Sequence, residues 1–160
     1  MDLPARLALR LELEALYADY AACLDDDDLE RWPDFFATDC RYEIIPRENF
    51  DRGLPLAVMR CESRAMLIDR VAALRRSSVY APRALRHLIS GVRITAVEGD
   101  RVSAQATYTI VQTPLDEEPA IFNVGRYLDR LVRDAGALKF VERLCVYDSV
   151  LVPGSLIFPI

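Results

Sequence analysis

Near residue 80 the apolar period of this chain changes from 3.6 residues to 2, and that change constrains the fold more than any other feature. Before it, Leu9, Leu13, Leu16, Tyr17, Tyr20 and Leu24 recur at steps of three and four, which predicts one long amphipathic helix over residues 3–24. Residues 63–76 repeat the pattern, with Met66, Leu67, Val71 and Leu74 on one face and Ser63 as the cap. After the change, residues 85–97, 102–113, 120–133 and 138–152 read as four long strands. The segments between them, EGD, PLDEEP and RDAG, carry hairpin-turn chemistry. Helices followed by such a meander specify an α+β fold in which helices cover one face of a mainly antiparallel sheet. Long strands do not stay flat, so the sheet is expected to coil around the first helix into a cone with a pocket at its open end.

The stretch between the two helices is less regular. Asp25, Asp26, Asp27 and Asp28 form an acidic run that suits a helix N-terminus better than a C-terminus, and Asp27 with Glu30 has capping-box spacing. A short helix is therefore expected through Leu29, Trp32, Phe35 and Phe36, with Pro33 tolerated in its first turns. Residues 40–46 read as a strand, RENFDRGLP as a loop, and residues 56–61 as a second strand. The run lacks the glycine and spaced oxygen ligands of a calcium loop. No linker or internal repeat divides the chain, so residues 1–160 are expected to form a single domain.

Composition excludes several functions. A pI near 5.0 and a net charge of −5 do not favour a nucleic-acid surface, which needs a positive stripe. Cys23, Cys40, Cys61 and Cys145 include no CxxC pair, so free buried thiols are expected rather than a zinc site. A Rieske cluster takes two Cys and two His, and a facial-triad iron takes two His and a carboxylate. With His87 as the only histidine, the chain alone can build neither. Arg6, Arg10, Glu12 and Glu14 interrupt any secretory signal, and no run is apolar enough to span a membrane, so a cytoplasmic protein is expected. No GxSxG elbow accompanies Ser63, Ser77, Ser78 or Ser90, and no GxGxxG or GKS/T loop is present.

Three stretches carry a resemblance: LYADYAACLDDDDLERWPDFFATDCRYEIIPRENFDRGLPLAVMRCES, MLIDRVAALRRSSVYAPRALRHLISGVRI and the closing VYDSVLVPGSLIFPI. Together they resemble the small (β) subunits of aromatic-ring-hydroxylating Rieske oxygenases, particularly those acting on salicylate, terephthalate, anthranilate and benzoate. The resemblance implies the cone-shaped, cystatin-like α+β fold shared with nuclear transport factor 2 and ketosteroid isomerase. It implies a homotrimer of β subunits within an α3β3 hexamer, whose large α subunit carries the Rieske [2Fe–2S] cluster and the mononuclear Fe(II). A separate reductase or ferredoxin would supply electrons from NAD(P)H, and this chain would hold no cofactor or metal.

The fold also hosts stand-alone isomerases and dehydratases, so the residues need weighing. Aligned with a ketosteroid-isomerase pattern, Tyr20 falls at the oxyanion-hole tyrosine but Ile44 at the general base, leaving only Glu43 or Asp39 nearby to take a proton. His87, whose unperturbed pKa lies near neutrality, is either a structural histidine tied to Asp69 or Glu62, a dehydratase-like acid/base, or an interface residue. The aromatics Tyr17, Tyr20, Trp32, Phe35, Phe36 and Tyr42 either pack a core or line a pocket. A homo-oligomeric binding protein with an apolar pocket is the third possibility.

Nineteen of the twenty basic residues are arginine, a residue enriched at protein interfaces where lysine is depleted. Arg47, Glu48 and Arg52 flank a Pro/Gly loop, while Arg83, Arg86, Arg126 and Arg130 alternate with apolar residues on strands. These are the candidate subunit contacts. The tail SLIFPI, with Phe158 and Ile160, is expected to dock on a neighbouring chain rather than stay exposed.

Overall fold

The computed structural model describes residues 2–77, 81–149 and 156–160. Ser78 and the expected end of the last strand, residues 150–152, lie outside them. Helix α1 (Leu3–Asp25) opens on Asp2, whose carboxylate accepts the Ala5 N–H at 2.9 Å, with Pro4 in the first turn. Its stripe is buried as the periodicity predicts: Leu9, Leu13, Tyr17, Tyr20, Cys23 and Leu24 enter the core, and Leu16 packs at its edge.

The acidic run ends α1 rather than starting a new helix. The Asp26 and Asp28 N–H groups return to the Ala22 and Cys23 carbonyls, and Asp27 adopts φ +58°. In place of the expected capping box, Asp27 and Glu30 both turn to Arg75: its Nη1 donates to the Asp27 carboxylate at 2.8 Å and its Nε to Glu30 at 2.8 Å. The expected short helix shrinks to one 3-10 turn, Trp32–Phe35, because Phe36 already belongs to strand β1 (Phe36–Pro46). That strand starts four residues earlier than the expected residue 40.

The Arg75 hydrogen bonds pull the Glu30 carboxyl from 4.5 down to about 2. Because the folded value is depressed, the stabilisation is present above the usual carboxylate range and is lost as pH falls from 4.5 through about 2. Carboxyl-carbon NMR titration should find Glu30 still ionised at pH 3.5, a pH of about one unit below its ordinary value, and Arg75→Ala should return it to the ordinary range.

The stretch expected as a loop contains helix α2 (Arg47–Asp51), entered from extended Pro46 and closed at Gly53 (φ +66°). The i,i+4 pair Glu48–Arg52 spans it at 3.0 Å. Strand β2 (Met59–Cys61) is shorter than expected, residues 56–58 staying outside the ladder. Helix α3 (Arg64–Ser77) follows, with the Met66 N–H on the Ser63 hydroxyl at 3.3 Å as the cap reading predicts.

Strands β3 (Arg83–Glu98), β4 (Arg101–Pro114), β5 (Ala120–Asp134) and β6 (Ala137–Tyr147) form the meander. Its turns are those the sequence marks: Gly99 at φ +60°, and Ala135 and Gly136 at +47° and +86°. The six strands form one sheet in the order β2-β1-β6-β5-β4-β3, with β1 parallel to β6 and every other pair antiparallel. Alternation decides which side chains enter the core. From β4 these are Val102, Ala104, Ala106, Tyr108 and Ile110, and from β5 Tyr127, Asp129 and Leu131. The β5–β6 register shifts between Arg130 and Leu131, so β6 changes parity from Phe140 to Arg143 and turns the arginine inward.

At Gly125 the sheet leaves no room for a side chain. A Cβ there would sit 2.3 Å from the Val146 carbonyl oxygen and 2.7 Å from the Tyr108 hydroxyl. Since the nearest obstacle is backbone of the paired strand, Gly125→Ala should cost about 1–3 kcal/mol in denaturant unfolding, the usual range for an overpacked core.

Candidate functional site

Two regions carry unusual chemistry: the interior of the cone, and the sheet face that the long helices leave open. Inside, Arg143 and Asp129 stand directly opposite each other on β6 and β5, both fully buried. The guanidinium donates through Nε and Nη2 to the two carboxylate oxygens at 3.0 and 2.8 Å, and the Tyr17 hydroxyl donates to the same carboxylate at 2.5 Å. Tyr20, Tyr127 and Phe140 surround the cation, their ring centroids 4.1, 4.2 and 3.9 Å from its central carbon. Burial works against the Arg143 charge, but the Asp129 carboxylate more than offsets it and holds the group protonated. Burial likewise pushes the Tyr17, Tyr20, Tyr42, Tyr108 and Tyr127 phenols upward. These hydroxyls therefore stay neutral.

Tyr17 donates to Asp129 and Tyr108 to the Asn123 side-chain oxygen at 2.9 Å, whereas Tyr20 and Tyr42 donate to the chain's own tail. The Ile160 main-chain oxygen accepts from the Tyr20 and Tyr42 hydroxyls, each at 3.0 Å, and the Ile160 N–H donates to the Tyr42 hydroxyl at 2.8 Å. The Cys145 thiol, pushed up to about 12 by burial, lies 3.5 Å from the same oxygen. Ile160 is fully buried, Phe158 nearly so, and Arg83 lies over the Phe158 ring at 5.6 Å. The expectation that Phe158 and Ile160 dock on a neighbour is thus corrected. The buried Tyr20 and Tyr42 hydroxyls require partners, and Ile160 satisfies them from within the chain.

The three residues weighed for acid/base work do not form a site. Tyr20 is committed to Ile160 and accepts from the Trp32 indole at 3.1 Å. Asp39 is exposed on β1, in a depression it shares with Glu98, Arg101 and Arg130. His87, buried as its alternation with exposed Leu88 requires, donates from Nδ1 to Asp25 at 2.6 Å. Its backbone N–H bonds the same carboxylate, and the Arg86 guanidinium stands 3.9 Å away. The partner is therefore Asp25 at the end of α1, not Asp69 or Glu62. The pair pins α1 to the edge strand β3. Trp32, Phe35, Phe36 and Tyr42 are buried in edge-on contacts with one another or with Tyr20, and Tyr17 is buried stacked on Tyr127, so they pack the core.

The open sheet face is charged. Register places Arg60 opposite Glu43, Arg41 opposite Glu142, and Glu142 opposite Arg130, a ladder of alternating charge across β2, β1, β6 and β5. Glu43 is buried under its arginines, Arg41 Nη2 reaching it at 2.8 Å and Arg60 Nε bonding the same oxygen. Arg130 reaches Glu142 at 3.4 Å and is largely exposed. Arg126 lies over Phe50 of α2 at 5.7 Å and 4.0 Å from Asp51. Arg47 pairs with Asp148 at 2.6 Å. Sequence reasoning singled out Arg126 and Arg130 but missed Arg41, Arg60, Glu142, Asp129 and Arg143. Strand parity was the available signal for Asp129, which alternates with the inward Tyr127 and Leu131, but it gave none for Arg143, whose inward turn follows the register shift.

Residues 5–144 match the SnoaL-like domain family. Over 149 residues the chain is 38% identical to the anthranilate 1,2-dioxygenase small subunit of Burkholderia cepacia, covering 93% of this chain and 92% of that one. The chain belongs to this small-subunit family. It is 31% identical over 150 residues to the terephthalate 1,2-dioxygenase terminal oxygenase component subunit beta 2 of a Comamonas species, covering 94% and 97% of the two chains. Among solved structures, it resembles one from Novosphingobium aromaticivorans named provisionally as the beta subunit of an aromatic-ring-hydroxylating dioxygenase. The TM-score is 0.87 and the identity 45%, over 95% of this chain and 96% of that one. Among the described residues of the small subunit, no group of three or more His, Cys, Asp or Glu side chains could hold a metal ion. No helix among them is long and apolar enough to cross a membrane.

Proposed function

We propose that residues 1–160 form one domain that serves as the architectural β subunit of a Rieske non-haem iron oxygenase hydroxylating an aromatic carboxylate in the cytoplasm. Three copies hold three α subunits in an α3β3 hexamer, and a separate reductase or ferredoxin delivers electrons. The α subunits carry the [2Fe–2S] cluster and the mononuclear iron. The observation that carries this reading is the 38% identity, over almost its full length, to a dioxygenase small subunit. The two curated relatives described above are named for anthranilate and terephthalate, both aromatic carboxylates, which supports the substrate class.

The donor set of this chain does not fit either iron group. Its one imidazole commits Nδ1 to Asp25, and its four thiols are buried, Cys23 and Cys40 being pushed up to about 11 by burial. No step is therefore routed through iron here. The chain contributes position, keeping one α subunit's cluster beside another's iron.

Iron analysis and turnover assays on the chain produced alone test the reading. It should be iron-free and inactive. Turnover of an enolisable ketone that His87→Ala abolishes would instead establish the isomerase or dehydratase reading built on His87, Tyr20 and Asp39.

A further inference from the structure

A three-fold ring has no isologous contact, so each interface joins one patch to a different patch on the next copy, and the two must be complementary. The described residues contain such a pair on a single chain. The first patch is the tip of the β4–β5 hairpin, where Leu115 is 79% exposed beside Asp116, Glu117 and Glu118. None of these acids makes an ion pair among the described residues. Ile121, 63% exposed, extends the apolar surface along β5.

The second patch is on the open sheet face. A trough of about 300 Å³ there is lined by Phe50, Leu128 and Leu144 and by Arg130, together with Glu142, which Arg130 faces at 3.4 Å, and Asp129, which is paired with Arg143. The Arg130 side chain is 73% exposed, and Arg126, 41% exposed, flanks it on the same strand and the same face. An apolar anchor entering a pocket whose rim carries the opposite charge is the arrangement in which interface energy concentrates.

We propose that the acidic hairpin tip of one copy seats Leu115 in the trough of the next, its carboxylates meeting Arg126 and Arg130, and that this head-to-tail contact closes the β trimer. The proposal rests on the trimer reading above. A second copy is the occupant because the tip carries three carboxylates without an ion pair among the described residues while Arg126 and Arg130 are exposed and only loosely held, at 4.0 and 3.4 Å, by Asp51 and Glu142, a match that a symmetric ring uses three times over. Steering by unlike charge also makes the contact sensitive to ionic strength.

Sedimentation velocity of the full chain tests it, with the melting temperature of each variant recorded. The wild type should sediment as three chains. Glu117→Arg with Glu118→Arg, and separately Arg126→Glu with Arg130→Glu, should lose the trimer, and the chain carrying all four substitutions should regain it. Leu115→Ser, far from any packed core, should lose the trimer with an unchanged melting temperature, which covers the case of a charge variant that fails to fold. A monomeric wild type, alone and in complex with its large subunit, would overturn both the contact and the trimer reading. A trimeric wild type whose tip and trough variants also remain trimeric would overturn the contact alone. Variants that stay trimeric but no longer bind the large subunit would assign the two patches to that partner and overturn the contact between copies.

Discussion

Asp129→Ala should remove about 3–5 kcal/mol from the folding stability of this chain, the cost of leaving one partner of a buried ion pair unpaired. Arg143 is fully buried, and Asp129 supplies its only ion pair among the described residues. The rings around the cation stabilise it through their faces but accept none of its hydrogen bonds in a way that could replace two charged ones. The loss is large against the roughly 5–15 kcal/mol that hold a typical domain folded. It would come from the abandoned guanidinium rather than from the missing carboxylate packing. Replacing both residues by apolar ones, Asp129→Leu with Arg143→Met, should therefore cost much less than the single change. Equilibrium unfolding in urea of the two variants decides it. A single variant within 1 kcal/mol of wild type, on the order of a surface ion pair, would mean that water reaches the cation.

Phe158→Ala should cost about 3–5 kcal/mol, the range for deleting a large aromatic side chain from a core. Were the tail a docking arm for a neighbour, the change would leave the isolated chain's stability almost untouched and act only on assembly. The buried Phe158 ring and the Ile160 backbone held between Tyr20 and Tyr42 place the effect inside the chain instead. Tyr42→Phe is the polar counterpart. It removes the acceptor for the buried Ile160 N–H, which is left unsatisfied at about 1–3 kcal/mol, while the Ile160 oxygen keeps its bond from Tyr20. A stability loss in the monomer for both variants supports the internal tail. An assembly defect with normal monomer stability would restore the docking-arm reading.

The sequence made the architecture legible wherever a local rule applied. The α1 stripe, the change of period and the three hairpin turns need only neighbouring residues, and each expected element of the meander forms, its last strand ending at Tyr147 within the described residues. The five-residue helix α2 was masked by the prolines and glycine around it, although Glu48 and Arg52 had the spacing that supports it. Partner choice across long separations was not legible. His87 had several carboxylates within plausible reach, and only the packing of α1 against β3 selects Asp25. The inward turn of Arg143 depends on the register shift between β5 and β6, which no local pattern marks. Five apolar tail residues state that they must be covered, without stating by what.

The interior of this cone is closed by its own tail and holds a charge pair that is fully neutralised, while the arginine-bearing face of the sheet stays open. That division fits a subunit whose work is done by its surface. Native mass spectrometry of the chain co-expressed with its large subunit tests this most directly. One species is expected, containing equal numbers of the two chains at the mass of an α3β3 hexamer and carrying iron and sulfide only in proportion to the large subunit. A fully active, iron-loaded large-subunit assembly that leaves this chain behind as a separate species would contradict it.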